Sequence, residues 1–156
     1  MRKFERISKK QYDKDLKPLG IFYEDVILPE RKTVNSAGYD FIAPIDFEIN
    51  PQEIIKIPTG IKVELNFDEF LGIYVRSSMG FKYNVRMCNQ VGIIDSDYYN
   101  NENNEGHIWI CLQNEGEKTY IVKKGESFAQ GIFQKYYLAE NDNTNKIRNG
   151  GLGSTN

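Results

Sequence analysis

The chain has 156 residues, 20 basic against 22 acidic side chains for a net charge of −2, one histidine and two cysteines. That length predicts one domain, at most with a tail, and the charge balance lacks the basic excess of a nucleic-acid binder. His107, Cys88 and Cys111 are too few for a four-ligand His/Cys zinc site or a disulfide framework, and only His107 is available as the base of a Ser-His-Asp triad.

Residues 1–20 read as a polar leader that ends in a turn at Pro18 and Gly20. Met1 to Asp15 is charged throughout and has no apolar stretch of the kind a secretion signal needs. No segment approaches the ~18 apolar residues of a membrane helix. With two separated cysteines, these features predict a cytoplasmic protein in a reducing compartment, with no membrane partner.

Ile21 to Leu28 is a short apolar run of β-formers closed by Pro29, and Glu30 to Gly38 is polar and rich in turn residues. From there the pattern is strand, turn, strand. Tyr39 to Ile42, Asp46 to Ile49 and Ile54 to Ile57 are short strands separated by Pro and Gly turns. Ile61, Val63 and Leu65 alternate with Lys62, Glu64 and Asn66, a period of two. Leu71 to Val75 leads into a loop over Arg76 to Lys82. Val91 to Ile94 ends in Asp95-Ser96-Asp97. Ile108, Ile110 and Leu112 again alternate with their neighbours, Thr119 to Val122 is short, and Phe128 to Tyr137 is apolar and aromatic. The polar stretch 99–107 reads as an inserted exposed hairpin loop. No long segment has a helical period with caps. Many short strands with frequent turns predict an all-β sandwich or barrel over residues 1–139. Residues 140–156 are polar and glycine-rich and read as a flexible arm that cannot bury itself in this core.

Four segments carry more polar and glycine residues than a turn needs. Arg76-Ser77-Ser78-Met79-Gly80 offers a guanidinium, two hydroxyls and exposed N–H groups, the donors of a phosphate cradle; an ordinary Ser-rich loop fits as well. Asp95 and Asp97 lie on one face of an extended backbone, where they could hold a cation or a water or simply be solvated. Gln130 in Gly125 to Gln130 is a lone amide at the start of a strand. Arg148 to Thr155 combines an arginine, glycines and two hydroxyls, as an adaptable anion-binding segment or a disordered end. His107 reads as a strand-edge residue and Cys111 as a small hydrophobe within its strand.

In this order the segments resemble the five motifs of the trimeric deoxyuridine triphosphate nucleotidohydrolases, the dUTPases. Ala37-Gly38-Tyr39-Asp40 is similar to the first. Arg76-Ser77-Ser78 with Lys82 is similar to the second. Gly92 to Tyr98, with Asn89 upstream, is similar to the third, Gly125 to Phe133 to the fourth and Arg148 to Thr155 to the fifth. The resemblance implies a distorted jelly-roll β-barrel in a homotrimer, each active site built from three chains, with the C-terminal arm of one closing over a neighbour. It implies hydrolysis of dUTP to dUMP and pyrophosphate with Mg²⁺, which keeps uracil out of DNA and supplies dUMP for dTMP synthesis.

By that resemblance Asp95 holds and deprotonates the water that attacks the α-phosphorus. An Asp carboxylate is a weak base at neutral pH, so its work is mostly geometric. Asn89 and the hairpin backbone around Gly92 and Ile94 would read uracil, and Tyr98 would pack under the deoxyribose. Arg76, Ser77, Ser78, Gln130, Arg148, Ser154 and Thr155 would bind the triphosphate, with Leu152 covering the base and Gly153 a further substrate-binding residue of the arm. Asp40 is the candidate metal residue, acting through water, with Mg²⁺ held mainly by phosphate oxygens.

Three positions depart from the family pattern. Leu152 stands where the arm usually has a phenylalanine, which leaves Tyr99 or a leader aromatic as candidates for stacking. Ser127 replaces an arginine, and the fifth motif is one residue short. Two alternatives stand beside this reading. One is a deoxycytidine triphosphate deaminase of the same fold, whose glutamate would fall near Cys111. The other is a dUTPase-like regulatory module with a protein partner at the 99–107 loop.

Overall fold

The computed structural model describes residues 1–153. Eleven strands and two short helices make up its regular structure. The strands are β1 (Lys3–Arg6), β2 (Tyr39–Ile42), β3 (Phe47–Ile49), β4 (Ile54–Pro58), β5 (Ile61–Glu64), β6 (Glu69–Tyr74), β7 (Val85–Met87), β8 (Gly92–Asp95), β9 (Trp109–Asn114), β10 (Tyr120–Val122) and β11 (Ser127–Lys135). Helix α1 spans Lys9–Asp15 and α2 spans Ser77–Tyr83.

All the pairings are antiparallel and fall into four sheets: β2-β11-β6-β8, β4-β9-β7, β1-β5 and β10-β3. Consecutive strands repeatedly change sheet, which wraps the sheets around one core as a jelly roll does. The alternation seen in the sequence does this work. In β9, Ile110, Leu112 and Asn114 point inward and are fully buried, while Trp109, Cys111 and Gln113 are only half-buried. Ile49, Leu71, Ile73, Met79 and Phe128 complete the interior. Burying such side chains contributes about 1.5–3 kcal/mol each.

Three expectations need correction. The leader is part of the barrel: β1 pairs with β5, Ser8 caps α1 by accepting from the Gln11 N–H, and Ile7 and Leu16 are fully buried. Short helices need only a cap and a few buried contacts, so no long helical period announced α1. Ile21 to Leu28 is not a strand; it holds a 3-10 turn at Tyr23–Asp25, with Ile21 and Val26 buried as separate anchors. Arg76 to Lys82 is not a loop but mostly α2, anchored by buried Met79 and ended by Asn84 in the left-handed region at φ 55°. Strand β7 was also absent from the sequence reading, because Val85–Met87 is too short to show a period.

The 99–107 segment is also held down. Asn101 Oδ1 accepts the N–H groups of Asn103 and Asn104, closing a tight turn. Glu105 takes hydrogen bonds from Ser8 and from Lys62 Nζ at 2.8 Å, and Tyr99 donates to Glu5. Lys62 points outward from β5 as its alternation predicts, but this loop covers it. Burial alone would raise the Glu105 carboxyl, and the bonds from Lys62 and Ser8 outweigh it and hold its pKa below the ordinary value. Among the described residues no helix is long and apolar enough to cross a membrane.

His107 is fully buried rather than at a strand edge. The Gly60 N–H donates to Nε2 at 2.9 Å, so the proton sits on Nδ1, which donates to Asp15 Oδ2 at 2.6 Å. Burial lowers the pKa of the ring and outweighs the opposing pull of Asp15. The unfolded chain therefore takes up a proton near ~6.5 while the folded chain resists it, and stability falls as pH drops below that value. Glu105, with its lowered pKa, loses its contribution only below ~4.3. The urea midpoint is expected to be lower at pH 5.5 than at pH 7.5. His107→Gln should be less stable at both and flatten the difference, because this is the chain's only histidine; an unchanged slope would assign the pH dependence elsewhere.

Candidate active site

Strands β7 and β8 form a hairpin that bridges two sheets, β7 pairing with β9 and β8 with β6. Its turn is tight: the Gln90 N–H donates to Met87 C=O, and Gln90 has φ 65°. Gly92 begins β8, and a Cβ there would press on Ile73 Cβ at 3.0 Å. Between the hairpin and β9 lies a cavity of about 450 Å³, a size that suits a small ligand. Asn89, Gly92, Ile93, Ile94 and Leu152 line it with Met87, Trp109, Ile110, Cys88 and Cys111. The candidate residues Asn89, Gly92, Ile94 and Leu152 thus line one cavity.

Tyr99 is not among them. Its hydroxyl is engaged by Glu5 and its ring faces Lys62. The leader aromatics are occupied too, Phe4 against Tyr39, Phe41 and Phe133, and Tyr12 against Tyr23. The aromatic lining this cavity is Trp109, on the half-buried face of β9. Its pairing with Pro58 on β4 set it at the cavity wall; a lone tryptophan on the half-buried side of a strand was the available signal.

Asp95 ends β8 and is exposed, and Asp97 follows in a 3-10 turn. Arg148 Nη2 donates to Asp95 Oδ2 at 2.8 Å and its Nε to Asp97 Oδ1 at 2.7 Å. The same guanidinium lies 5.9 Å from the Tyr98 ring centre. Tyr98 is buried and fixed: its hydroxyl donates to His107 C=O and accepts from Asn104 Nδ2, each at 2.8 Å. Burial pushes its phenol pKa up. The arm has no regular structure, yet in the single chain it lies on this hairpin. Gly151 packs on the Asn104 amide, where a Cβ would be 3.0 Å away, and Leu152 stands at the cavity mouth. Gly153 is exposed in the left-handed region. Ser154 and Thr155 lie outside the described residues.

A second cavity, of about 290 Å³, is polar and lined by Asp40, Arg76, Ser77, Gln130, Gly38, Lys32 and Ser36. Asp40, Gln130 and Tyr74 share one row across β2, β11 and β6, and Arg76 leaves the end of β6 beside them. A Cβ at Gly38 would displace the Gln130 side-chain amide from its place in this cavity. Arg76 Nε lies 3.4 Å from Asp40 Oδ1, which orients the guanidinium and leaves it four other N–H donors. Gln130 Nε2 donates to Val75 C=O at 3.1 Å and retains a second N–H. Ser78 is exposed on α2 and does not line the cavity. The Ser127 hydroxyl is buried without a partner. Lys32 and Ser36 were missed, because a polar turn segment looks the same whether or not it faces a cavity.

The two groups of residues do not meet within one chain. Asp95 pairs with Phe70 and Gln130 with Tyr74, on opposite sides of β6. Four residues along the strand and two strand spacings separate their backbones by ~16 Å. No group of three or more His, Cys, Asp or Glu could hold a metal among the described residues.

An apolar-walled slot lined by one amide, and a recess with two cations and an amide across β6 in the same sheet, suit the two ends of a nucleotide. The class is a nucleotide-binding β-barrel, and comparison with known proteins narrows it. The family profile described as dUTPase matches residues 24–156. The deoxyuridine 5'-triphosphate nucleotidohydrolase of Lactococcus lactis subsp. lactis (strain IL1403) is 41% identical over 130 residues, 82% of this chain and 87% of that one. That of Desulfitobacterium hafniense (strain DSM 10664 / DCB-2) is 36% identical over 136 residues, covering 82% and 86%. The crystal structure of dUTPase from Streptococcus mutans superposes with a TM-score of 0.71 at 36% identity, covering 88% of this chain and 98% of that one. This chain belongs to the dUTPase family. A dUTPase from phage phi11 of S. aureus, described with a structural Mg(II) ion, shares the fold at 17% identity and a TM-score of 0.68, covering 94% of this chain and 98% of that one.

Proposed function

We propose that the protein hydrolyses dUTP to dUMP and pyrophosphate in a homotrimer with shared active sites. The observation that carries this reading is the course of β8. It runs from Gly92 in the apolar cavity to Asp95 beside Tyr98, a rise of ~10 Å, the length of a nucleoside with its first phosphate. Uracil sits at Gly92 and Asn89, deoxyribose on Tyr98 and the α-phosphorus at Asp95.

Asp95 accepts a proton from a water held in line with the scissile bond. The water oxygen bonds to the α-phosphorus, the bond from that phosphorus to the bridging oxygen breaks, and pyrophosphate leaves. Arg148, paired with Asp95 in the ligand-free chain, exchanges that carboxylate for phosphate oxygens, and charge-assisted bonds from Arg76 hold the β- and γ-phosphates. Mg²⁺, when bound, neutralises phosphate charge and keeps much of its water. The donor set fits an ion carried by the triphosphate rather than by a protein cage. Asp40, the one carboxylate of the polar cavity, has a buried Oδ2 without a partner that could take a water of that ion.

The ~16 Å between Asp95 and Gln130 supports sharing: one triphosphate reaches both groups only when the polar cavity of a second chain faces the hairpin of the first. Exposed Phe67, Phe81, Tyr137 and Ile147 are apolar surface of the kind an assembly covers. The arm's partners Asp95, Asp97, Tyr98 and Asn104 recur on every chain, so exchange onto a neighbour keeps each contact.

Pyrophosphate release measured across dUTP, dCTP, dTTP and UTP with Mg²⁺ tests the reading, and only dUTP should turn over well. A site built on the uracil edge leaves groups unpaired when offered cytosine, a mismatch worth ~10⁴-fold. Release of ammonia from dCTP would instead indicate a deaminase, although no carboxylate lines the base cavity among the described residues. Tyr98→Ala should lower the dUTP/UTP ratio of kcat/KM by about tenfold, the value of one close contact against an extra hydroxyl; an unchanged ratio removes Tyr98 from sugar selection.

A further inference from the structure

The two cysteines, 23 residues apart in sequence, meet at the base cavity with Sγ atoms 3.1 Å apart. In sequence they are separate residues, Cys111 reading as a small hydrophobe; the β7–β9 pairing brings them together. Its register, ending at Met87↔Leu112, continues to set Cys88 directly opposite Cys111, and the Cys88 N–H donates to Cys111 C=O at 3.0 Å. Directly opposed residues have Cα atoms ~4.5–5.5 Å apart, inside the ~4.4–6.8 Å range that a disulfide requires. Both thiols are reduced and partly exposed. Asn89, the amide at the rim of the base cavity, is the next residue after Cys88.

We propose that Cys88 and Cys111 are an oxidative modification site. A hydroperoxide converts them to a reversible intrachain disulfide, and the bond weakens base binding by tying the Asn89 turn to β9. The second half of this statement rests on the reading of the cavity as the uracil site. In the first step one thiolate attacks a peroxide oxygen, the O–O bond breaks, a sulfenic acid forms and hydroxide leaves to become water. In the second, the other thiol attacks the sulfenic sulfur, the S–O bond breaks and a second water leaves with the thiol proton. Two thiols lose two electrons in all, and hydrogen peroxide gains them. A dithiol reductant reverses the change. Burial, with the neighbouring Cys88 thiol, pushes the Cys111 pKa up to about 11. Oxidation is therefore slow at neutral pH and accelerates as pH rises. In reducing surroundings the pair stays open, as transient cytosolic disulfides do.

The test treats the full-length protein with hydrogen peroxide at pH 8.5, removes the oxidant with catalase, and follows peptide mass and dUTP kinetics. The expected result is a peptide linking Cys88 to Cys111 within one chain. KM for dUTP should rise about tenfold, as when one good hydrogen bond is misaligned, with a smaller change in kcat and full reversal by dithiothreitol. Cys88→Ser and Cys111→Ser, each compared with its own untreated sample, should form no linked peptide and show no peroxide-dependent change; this also controls for oxidation of Met87. Absence of the linked peptide, linkage between chains, or linkage with KM unchanged would each overturn the proposal. If the reduced protein fails to hydrolyse dUTP, the functional reading falls instead, and the disulfide is still scored by mass alone.

Discussion

Asp95→Asn is expected to bind dUTP with little change in affinity and to turn it over about 10²–10⁴-fold more slowly, the range a positioned acid–base group supplies. The amide keeps the shape of the carboxylate at the end of β8, and the side chain is exposed, so the change leaves no buried polar group unsatisfied. What is lost is the acceptor for the proton of the attacking water and the charge that holds that water in line. The Arg148 bond to Asp95 weakens, while its 2.7 Å bond to Asp97 keeps the arm on the hairpin. Calorimetric titration with the non-turning-over variant and a pyrophosphate-release assay separate binding from chemistry. Near-normal release would remove Asp95 as the base.

Truncation after Asn143 is the second large effect. Among the described residues the buried apolar core contains none beyond Ala129, so the shortened chain should fold with nearly the same thermal midpoint and keep its oligomeric state. Its kcat/KM should fall by about 10²–10³-fold. A hydrogen bond to a charged group contributes ~1.5–3 kcal/mol, each 1.36 kcal/mol is about tenfold in rate, and both Arg148 and the covering Leu152 are removed. Sedimentation velocity and steady-state kinetics on one preparation check both halves. Unchanged kinetics would end the idea that the arm closes the site. A dissociated chain would show that the arm also holds the assembly.

Much of the site was legible because its chemistry is local in sequence. Gly92 to Tyr98 reads as one strand with a carboxylate and an aromatic at its end, and the structure keeps it as one strand and one turn. Arg76, Ser77 and Gln130, candidates from three separate stretches of sequence, line one cavity. The errors lie where contacts span long sequence distances. Nothing near His107 reveals Asp15, 92 positions earlier, and nothing near Glu105 reveals Ser8, 97 positions earlier. The leader and the 99–107 loop therefore looked like loose surface, although each is hydrogen-bonded to the other.

By itself the sequence determined the alternating strands, the all-β class and the four polar segments that are candidates for the chemistry, since period-two patterning and glycine or carboxylate positions act over a few residues. Tertiary structure alone decided which of these segments face one another. It seated Arg148 on Asp95, set Trp109 in the wall of the apolar cavity, brought Cys88 to Cys111, and kept Gln130 ~16 Å from Asp95. Those placements depend on strand register and on which sheet each strand joins. A shift of one residue in register turns every side chain to the other face, and neither property is encoded in any short stretch of chain.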